Sequence, residues 1–271
     1  MMIKRRLFNA FRVAVLLLGL AAAGYCLLVW HVWQNRIALT LVSKSLGEIR
    51  KVEVFNHRAV GQGVPVIYSL DGHKHRNAVL PATYALVMAT ISGAPPPLIV
   101  AVHDQGKRDI DFRPATVTPA PWRRNVSGRA ASFDIFLTSE LRTYIERRFG
   151  KPRHRYLFGH SLAGYYALDL PTRQTMHGFA GIFAFSPTFS HDLSLIDRLG
   201  TTCANTDLIY ANIGVESRRD VDVFEQGAAK MKSERACAKV ATSSRHGGIV
   251  HQVIMLTGQH AAFQRIYADD R

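Results

Sequence analysis

The sequence predicts an α/β fold: a mostly parallel sheet with helices on both faces, preceded by one membrane-spanning helix. Three observations carry this. From residue 37 onward, apolar strand-like runs alternate with segments of helical spacing. One of those strands passes into a helix through a tight turn that displays a serine, Gly159-His160-Ser161-Leu162-Ala163-Gly164. Ahead of them, residues 13–30 form an unbroken apolar run of 18 residues behind a basic cluster.

The apolar run divides the chain into two parts, an N-terminal basic segment and anchor (1–36) and one α/β domain (37–271). Lys4, Arg5, Arg6 and Arg12 precede the span and Arg36 follows it. That asymmetry puts the N-terminus in the cytosol and the domain outside, on a single-pass inner-membrane protein with a periplasmic domain. Trp30 and Trp33 fall where an interfacial aromatic belt lies. The run exceeds the apolar region of a typical signal peptide, and Tyr25 before Cys26 is too bulky for a lipoprotein cleavage box.

Within the domain, residues 37–42 and 50–55 alternate as strands around a turn at 43–47. Residues 64–70 read as a buried strand ending at Asp71-Gly72. Residues 77–90 have helical spacing, closed by Gly93 and Pro95-Pro96-Pro97, and 98–103 form another apolar strand. The stretch 104–130 is a long loop, of a length often tied to function. Apolar residues at 133, 136, 137, 141, 144, 145 and 149 make 132–149 an amphipathic helix, stopped by Gly150 and Pro152. After the serine-bearing segment come strands at 178–185 and 207–213 and a helix at 221–239. A final strand at 250–256 and a closing helix at 261–267 complete the pattern.

The net charge of +14 favours anionic partners. There is no nucleic-acid motif and no dense basic run beyond the N-terminus, so nucleic acid is not an expected partner. Cys26 lies in the anchor. Cys203 and Cys237 lie in the exported part, where a disulfide is permitted and two separate thiols fit equally well.

A serine on a sharp strand-to-helix turn is how an α/β-hydrolase presents its nucleophile, here Ser161 with Ala163 in place of the second glycine of G-x-S-x-G. The hydroxyl needs a base held in the right tautomer, and the chain order in this fold is nucleophile, acid, histidine. The base belongs in the loop after the last strand, which points to His260; His251 falls inside the expected strand and His246 before it. The acid belongs after the preceding strand. Glu216 fits best, with Asp220, Asp222 and a Ser–His dyad without an acid as alternatives. The oxyanion hole needs two backbone N–H donors, expected from Leu162 after the nucleophile and His73 after Asp71-Gly72. No cofactor motif is present. A metal site at His73, His75 and His103 is set aside because no HExxH or cysteine pairing supports it.

Taken in order, these motifs resemble the putative esterase (esterase D-like) family. The carrying residues are Val66-Ile67-Tyr68-Ser69-Leu70-Asp71-Gly72, the Arg108–Pro114 stretch, Phe133 with Phe136-Leu137 and Glu140-Leu141, and the elbow itself. Phe185-Ser186-Pro187, Gly214 with Glu216, and Gly258 with His260 follow. The chain is similar to enterochelin-type siderophore esterases and feruloyl esterase modules, and more remotely to mycolyltransferases. The resemblance implies a serine esterase with Ser161, His260 and Glu216 as catalytic residues and the His73 and Leu162 N–H groups as oxyanion donors. It further implies substrate contacts from Asp71, Arg108 and Arg113. Arg76, Lys107, Arg123 and Arg124 would complete a basic mouth for a small anionic ester such as a catecholate siderophore trilactone. An acyltransferase on the same serine, another acyl-ester (feruloyl or acetyl) esterase, and an anion-binding module that kept only the fold are the competing readings.

Overall fold

The computed structural model describes residues 2–59, 63–117, 127–173, 176–189, 192–199, 206–214, 216, 218–233, 240–244 and 254–269. Helix α1 (Met2–Gln34) contains a stretch, Phe11–Gln34, long and apolar enough to cross a membrane. It leads through two residues into an eight-stranded sheet of order β1-β2-β4-β3-β5-β6-β7-β8. The hairpin of β1 (Ile37–Ser43) and β2 (Glu48–Phe55) joins antiparallel to β4 (Leu98–Val102). The rest is parallel: β3 (Val66–Leu70), β4, β5 (Arg155–His160), β6 (Gly181–Phe185), β7 (Leu208–Ile213) and β8 (Val240–Ser244).

Because side chains alternate along a strand, the central strands feed two cores. Tyr68, Leu70, Leu157 and Ile182 point to one, covered by the helical stretch α4 (Ala130–Ile135), a π turn (Phe136–Leu141) and α5 (Arg142–Phe149), together with α6 (Leu162–Arg173), α7 (Leu195–Leu199) and α8 (Arg218–Ser233). Ile67, Phe158, Phe183 and Phe185 point to the other, covered by α2 (Val79–Ser92), α9 (Ile254–Asp269) and the last turns of α1, where Val32 is buried. The long loop after β4 contains a helical turn, α3 (Arg108–Asp111), and its described ends are fastened down by a buried ionic cluster. Asp111 accepts from Arg50 (2.5 Å) and Arg129 (2.8 Å), and Glu48 accepts from Arg129 (2.6 Å).

One element differs from expectation in kind. Residues 254–256, expected as strand, form the first turn of α9; 250–253 lie outside the described residues, among which the last strand is Val240–Ser244. The buried pairs Ile254-Met255, Gly258-Gln259, Ala262-Phe263 and Ile266-Tyr267 recur every four residues, which is helical spacing. Among the described residues strand β8 pairs only with β7, its Val240, Ala241 and Thr242 are half-exposed, and Val-Ala-Thr-Ser-Ser holds no continuous apolar run. The helix expected at 221–239 is correspondingly Arg218–Ser233. Cys203, Cys237, Arg123, Arg124, His246 and His251 lie outside the described residues.

Candidate active site

Four parallel strands end in strained backbone. Asp71 (φ 55°) follows β3, Gln105 (φ 51°) lies beyond β4, Ser161 (φ 61°) follows β5, and Ser186 (φ 44°) follows β6. Left-handed φ is uncommon for residues with a side chain and tends to collect where the surroundings over-determine the backbone. Among the described residues these four lie along one edge, the carboxyl ends of the strands, where chemistry resides in such sheets, while a fifth, Asn56 (φ 59°), follows β2 at the opposite edge.

The elbow is built from main-chain contacts. A Cβ on Gly159 would lie 2.1 Å from the carbonyl oxygen of Ala163, so only glycine fits there. The Ser161 N–H donates to the Phe185 carbonyl (2.9 Å), and the Ser161 carbonyl accepts from Tyr165 (2.9 Å) and Thr188 (3.3 Å). These bonds fix the half-buried serine between β5 and α6 and leave its hydroxyl against the Thr188 hydroxyl at 3.2 Å. Ala163 is wholly buried in the same turn, where its small side chain is accommodated.

Across from the elbow, the turn after β3 is drawn onto β4. The Gly72 N–H donates to the Val102 carbonyl (2.8 Å), and a Cβ on Gly72 would lie 2.5 Å from Ala101. Among the described residues, the N–H groups of His73 and Leu162 have no hydrogen-bond acceptor, so both are free to meet a developing oxyanion. The His73 ring is held at Nδ1 by Asp104 (3.1 Å). Beside it, His103 contacts Glu53 (3.3 Å), which also accepts from Arg36 (2.8 Å). Burial pushes the Glu53 carboxyl up, but the hydrogen bonds from His103 and Arg36 outweigh it and hold the group below its ordinary range.

Asp71, Arg108 and Arg113, expected to contact substrate, have partners within the protein. Asp71 is fully buried and accepts from Arg108 Nε (2.8 Å) and Lys74 (3.3 Å), while Arg108 Nη2 donates to the His160 carbonyl (3.0 Å). Arg108 therefore ties the turn after β3 to the residue before Ser161. Arg113 is 4% exposed and donates to the carbonyls of Asp109 and Val117, a loop staple rather than part of a mouth; burial lowers its pKa. Lys107 is paired with Glu48.

Glu216, just beyond β7, accepts a 2.6 Å bond from the Ser186 hydroxyl at the end of β6. Asp220 and Asp222 lie on α8, half-buried and exposed. His260 is not in a loop: it lies on α9, exposed, and its Nδ1 pairs with the Tyr84 hydroxyl. No hydrogen bond joins it to Ser161. Asp104 and the Asp71–Arg108 tie escaped sequence reasoning as positioning groups. Ser186-Pro187 stood out as a motif but with no role attached.

Fold and edge together define an α/β hydrolase with a serine elbow. The chain belongs to the putative esterase family, whose model matches residues 43–260, and is accordingly a hydrolase. Among solved structures it is similar to an IroE-like serine hydrolase from Shewanella oneidensis, with a TM-score of 0.73 and 19% identity over 87% of this chain and 81% of that one. It is also similar to siderophore hydrolase EstA from Aspergillus nidulans (TM-score 0.67, 16% identity, 86% and 94% covered). The enterobactin and salmochelin hydrolase IroE gives a TM-score of 0.64 at 21% identity, with 86% and 94% covered. At these identities the likeness concerns the fold. No curated protein sequence matches the chain.

Proposed function

We propose that this protein is a membrane-anchored serine carboxylic ester hydrolase that works through an acyl-enzyme. The observation that carries the reading is Ser161, held at φ 61° on the β5–α6 elbow with the open N–H groups of Leu162 and His73 beside the strand ends. Ser161 attacks the ester carbonyl, the two N–H groups stabilise the oxyanion, and water then releases the acid. Glu216 is the acid that orients the base. His260 is expected from its place after a strand at 250–256 and from the resemblance carried by Gly258 with His260, and residues 254–256 are helix instead. With β8 ending at Ser244, the same rule names His246, two residues on, with His251 next, and we assign the base to His246 in preference to His260.

The domain is residues 37–271, and α1 anchors it in the inner membrane with the N-terminus in the cytosol, because Lys4, Arg5, Arg6 and Arg12 precede the span. The siderophore hydrolases among the similar structures make a catecholate trilactone the first ester to test. A fluorophosphonate probe should label Ser161, and Ser161→Ala should abolish labelling and lower kcat by at least about 10³-fold. His246→Ala should match that loss while His260→Ala stays well above it. Undiminished ester turnover by Ser161→Ala sinks the reading; equal losses in His260→Ala and His246→Ala return the base to question.

A further inference from the structure

Helix α1 does not leave the domain freely; its last turns are packed along the second face of the sheet. Near Asn35, its neighbours are Asn56 and His57, just past the end of β2, and Pro96, just before β4. Strand β2 runs antiparallel to β4, so this is the amino edge of the parallel strands. Ten residues earlier in the helix, its neighbours are His75 and Leu80, which follow the carboxyl end of β3. Read from Asn35 back to Tyr25, α1 therefore runs from the amino edge to the carboxyl edge. The apolar turns before Tyr25 continue past that edge, exposed. If α1 spans a bilayer, the bilayer lies on the side of Ser161.

The depth can be counted. A span of about 20 residues covers the hydrocarbon layer, so one that starts at Phe11 ends at Trp30. Tyr25, Cys26, Val29 and Trp30 then stand in the last turns of that layer. Opposite them are His75 and Leu80, and between the two walls is a cleft of about 490 Å³. Its volume is that of a small-molecule site, and its lining is apolar on the helix side. Trp33 closes one end by stacking on His75 with ring centroids 5.0 Å apart. His75 is two residues from His73, at most about 7 Å of chain from the proposed oxyanion donor.

We propose that this cleft seats the acyl chain of a long-chain carboxylic ester dissolved in the bilayer, so that Ser161 takes its substrate from the membrane. The inference rests on the ester-hydrolase reading and on α1 as a span. The chemistry is that of the proposed function. Ser161 Oγ bonds to the carbonyl carbon, the bond to the alkoxy oxygen breaks, and the serine proton passes through the base to the leaving alcohol. Water then cleaves the acyl-enzyme and releases the fatty acid. The membrane supplies both the substrate and its orientation, chain along α1 and carbonyl toward the oxyanion turn.

The test uses the full chain in phosphatidylcholine nanodiscs and reads the ratio of kcat/KM for p-nitrophenyl palmitate to that for p-nitrophenyl acetate. Val29→Trp and Leu80→Trp fill the cleft from opposite walls, and each should lower the ratio at least about tenfold. Thr90→Trp, exposed on α2 away from the cleft, should keep it. Independently of turnover, phosphatidylcholine with a diazirine in its acyl chain should label the segment 75–80, and Leu80→Trp should remove that label. An unchanged ratio in both cleft variants, or no label at 75–80, overturns the inference while ester turnover leaves the hydrolase reading standing. Labelling without turnover of either ester, and without fluorophosphonate capture of Ser161, overturns the hydrolase reading and with it the substrate role of the cleft.

Discussion

Asp71 and Asp111 are both fully buried carboxylates held by arginine, and they differ in what the arginine reaches next. At Asp71, the guanidinium of Arg108 goes on to the carbonyl of His160 and so couples the turn after β3 to the elbow. At Asp111, Arg50 and Arg129 go on to Glu48 on strand β2, closing an ionic cluster under the loop that follows β4. Arg50 is wholly buried; desolvation lowers its pKa, and the neighbouring Asp111 opposes that fall. Identical chemistry thus serves two ends. A buried pair whose far end is main chain at the reactive edge sets geometry, whereas one whose far end is another carboxylate sets stability.

The largest expected effect breaks the second cluster. Asp111→Ala leaves the buried Arg50 with Glu48 and the Asp104 carbonyl, and removal of one partner from a buried pair costs about 3–5 kcal/mol. Urea unfolding should show that loss, while ester turnover per folded molecule changes little. Turnover that collapses along with stability would merge the two clusters into one.

Breaking the first cluster should have the opposite signature. Arg108→Ala frees the turn that carries His73 from the elbow, and a misplacement of about 1 Å costs about 10²-fold in rate. Lys74 still faces Asp71, so the stability loss should be smaller than for Asp111→Ala. Arg108→Lys sharpens the point: a point charge can stay near Asp71 but cannot hold Asp71 and His160 at once. Stability should recover in that variant and kcat should not. If kcat recovers, charge alone suffices and the tie is not a positioning device.

What the sequence revealed follows from how tightly each feature constrains residue type. The elbow was legible because its backbone admits only glycine at 159, and strands β3 to β6 because burial on both faces demands continuous apolar runs. The position of Glu216 followed from the end of β7. The strand expected through residues 254–256 was misread for a physical reason: a strand such as β8 carries little apolar signal, and the first turn of α9 begins with the apolar pair Ile254-Met255. The partners of the arginines were not legible for another. Positive charge near a site in sequence suggests a mouth, but Arg113 and Arg108 spend their donors on carbonyls and a buried carboxylate, which only tertiary structure shows.

His177 extends the comparison to a buried titratable group that carries no charge, and its effect is the smallest at neutral pH. Its ring has no exposure, Nδ1 accepts from the Phe179 N–H (3.0 Å), and Nε2 lies 3.1 Å from the Thr206 hydroxyl. With Nδ1 as acceptor, the neutral ring carries its proton on Nε2 and donates to Thr206. Burial lowers the pKa from 6.5 to about 4. Between those values the unfolded chain binds a proton that the folded chain refuses, so stability falls as pH drops through this window and levels off below it. Linkage sets the loss at about 2 kcal/mol at pH 5 and near zero above pH 7. His177→Gln keeps an acceptor and a donor but does not titrate. Urea midpoints of the two proteins, compared from pH 7.5 to 4.5, should converge by the amount the histidine loses. Parallel curves would move the acid sensitivity away from His177.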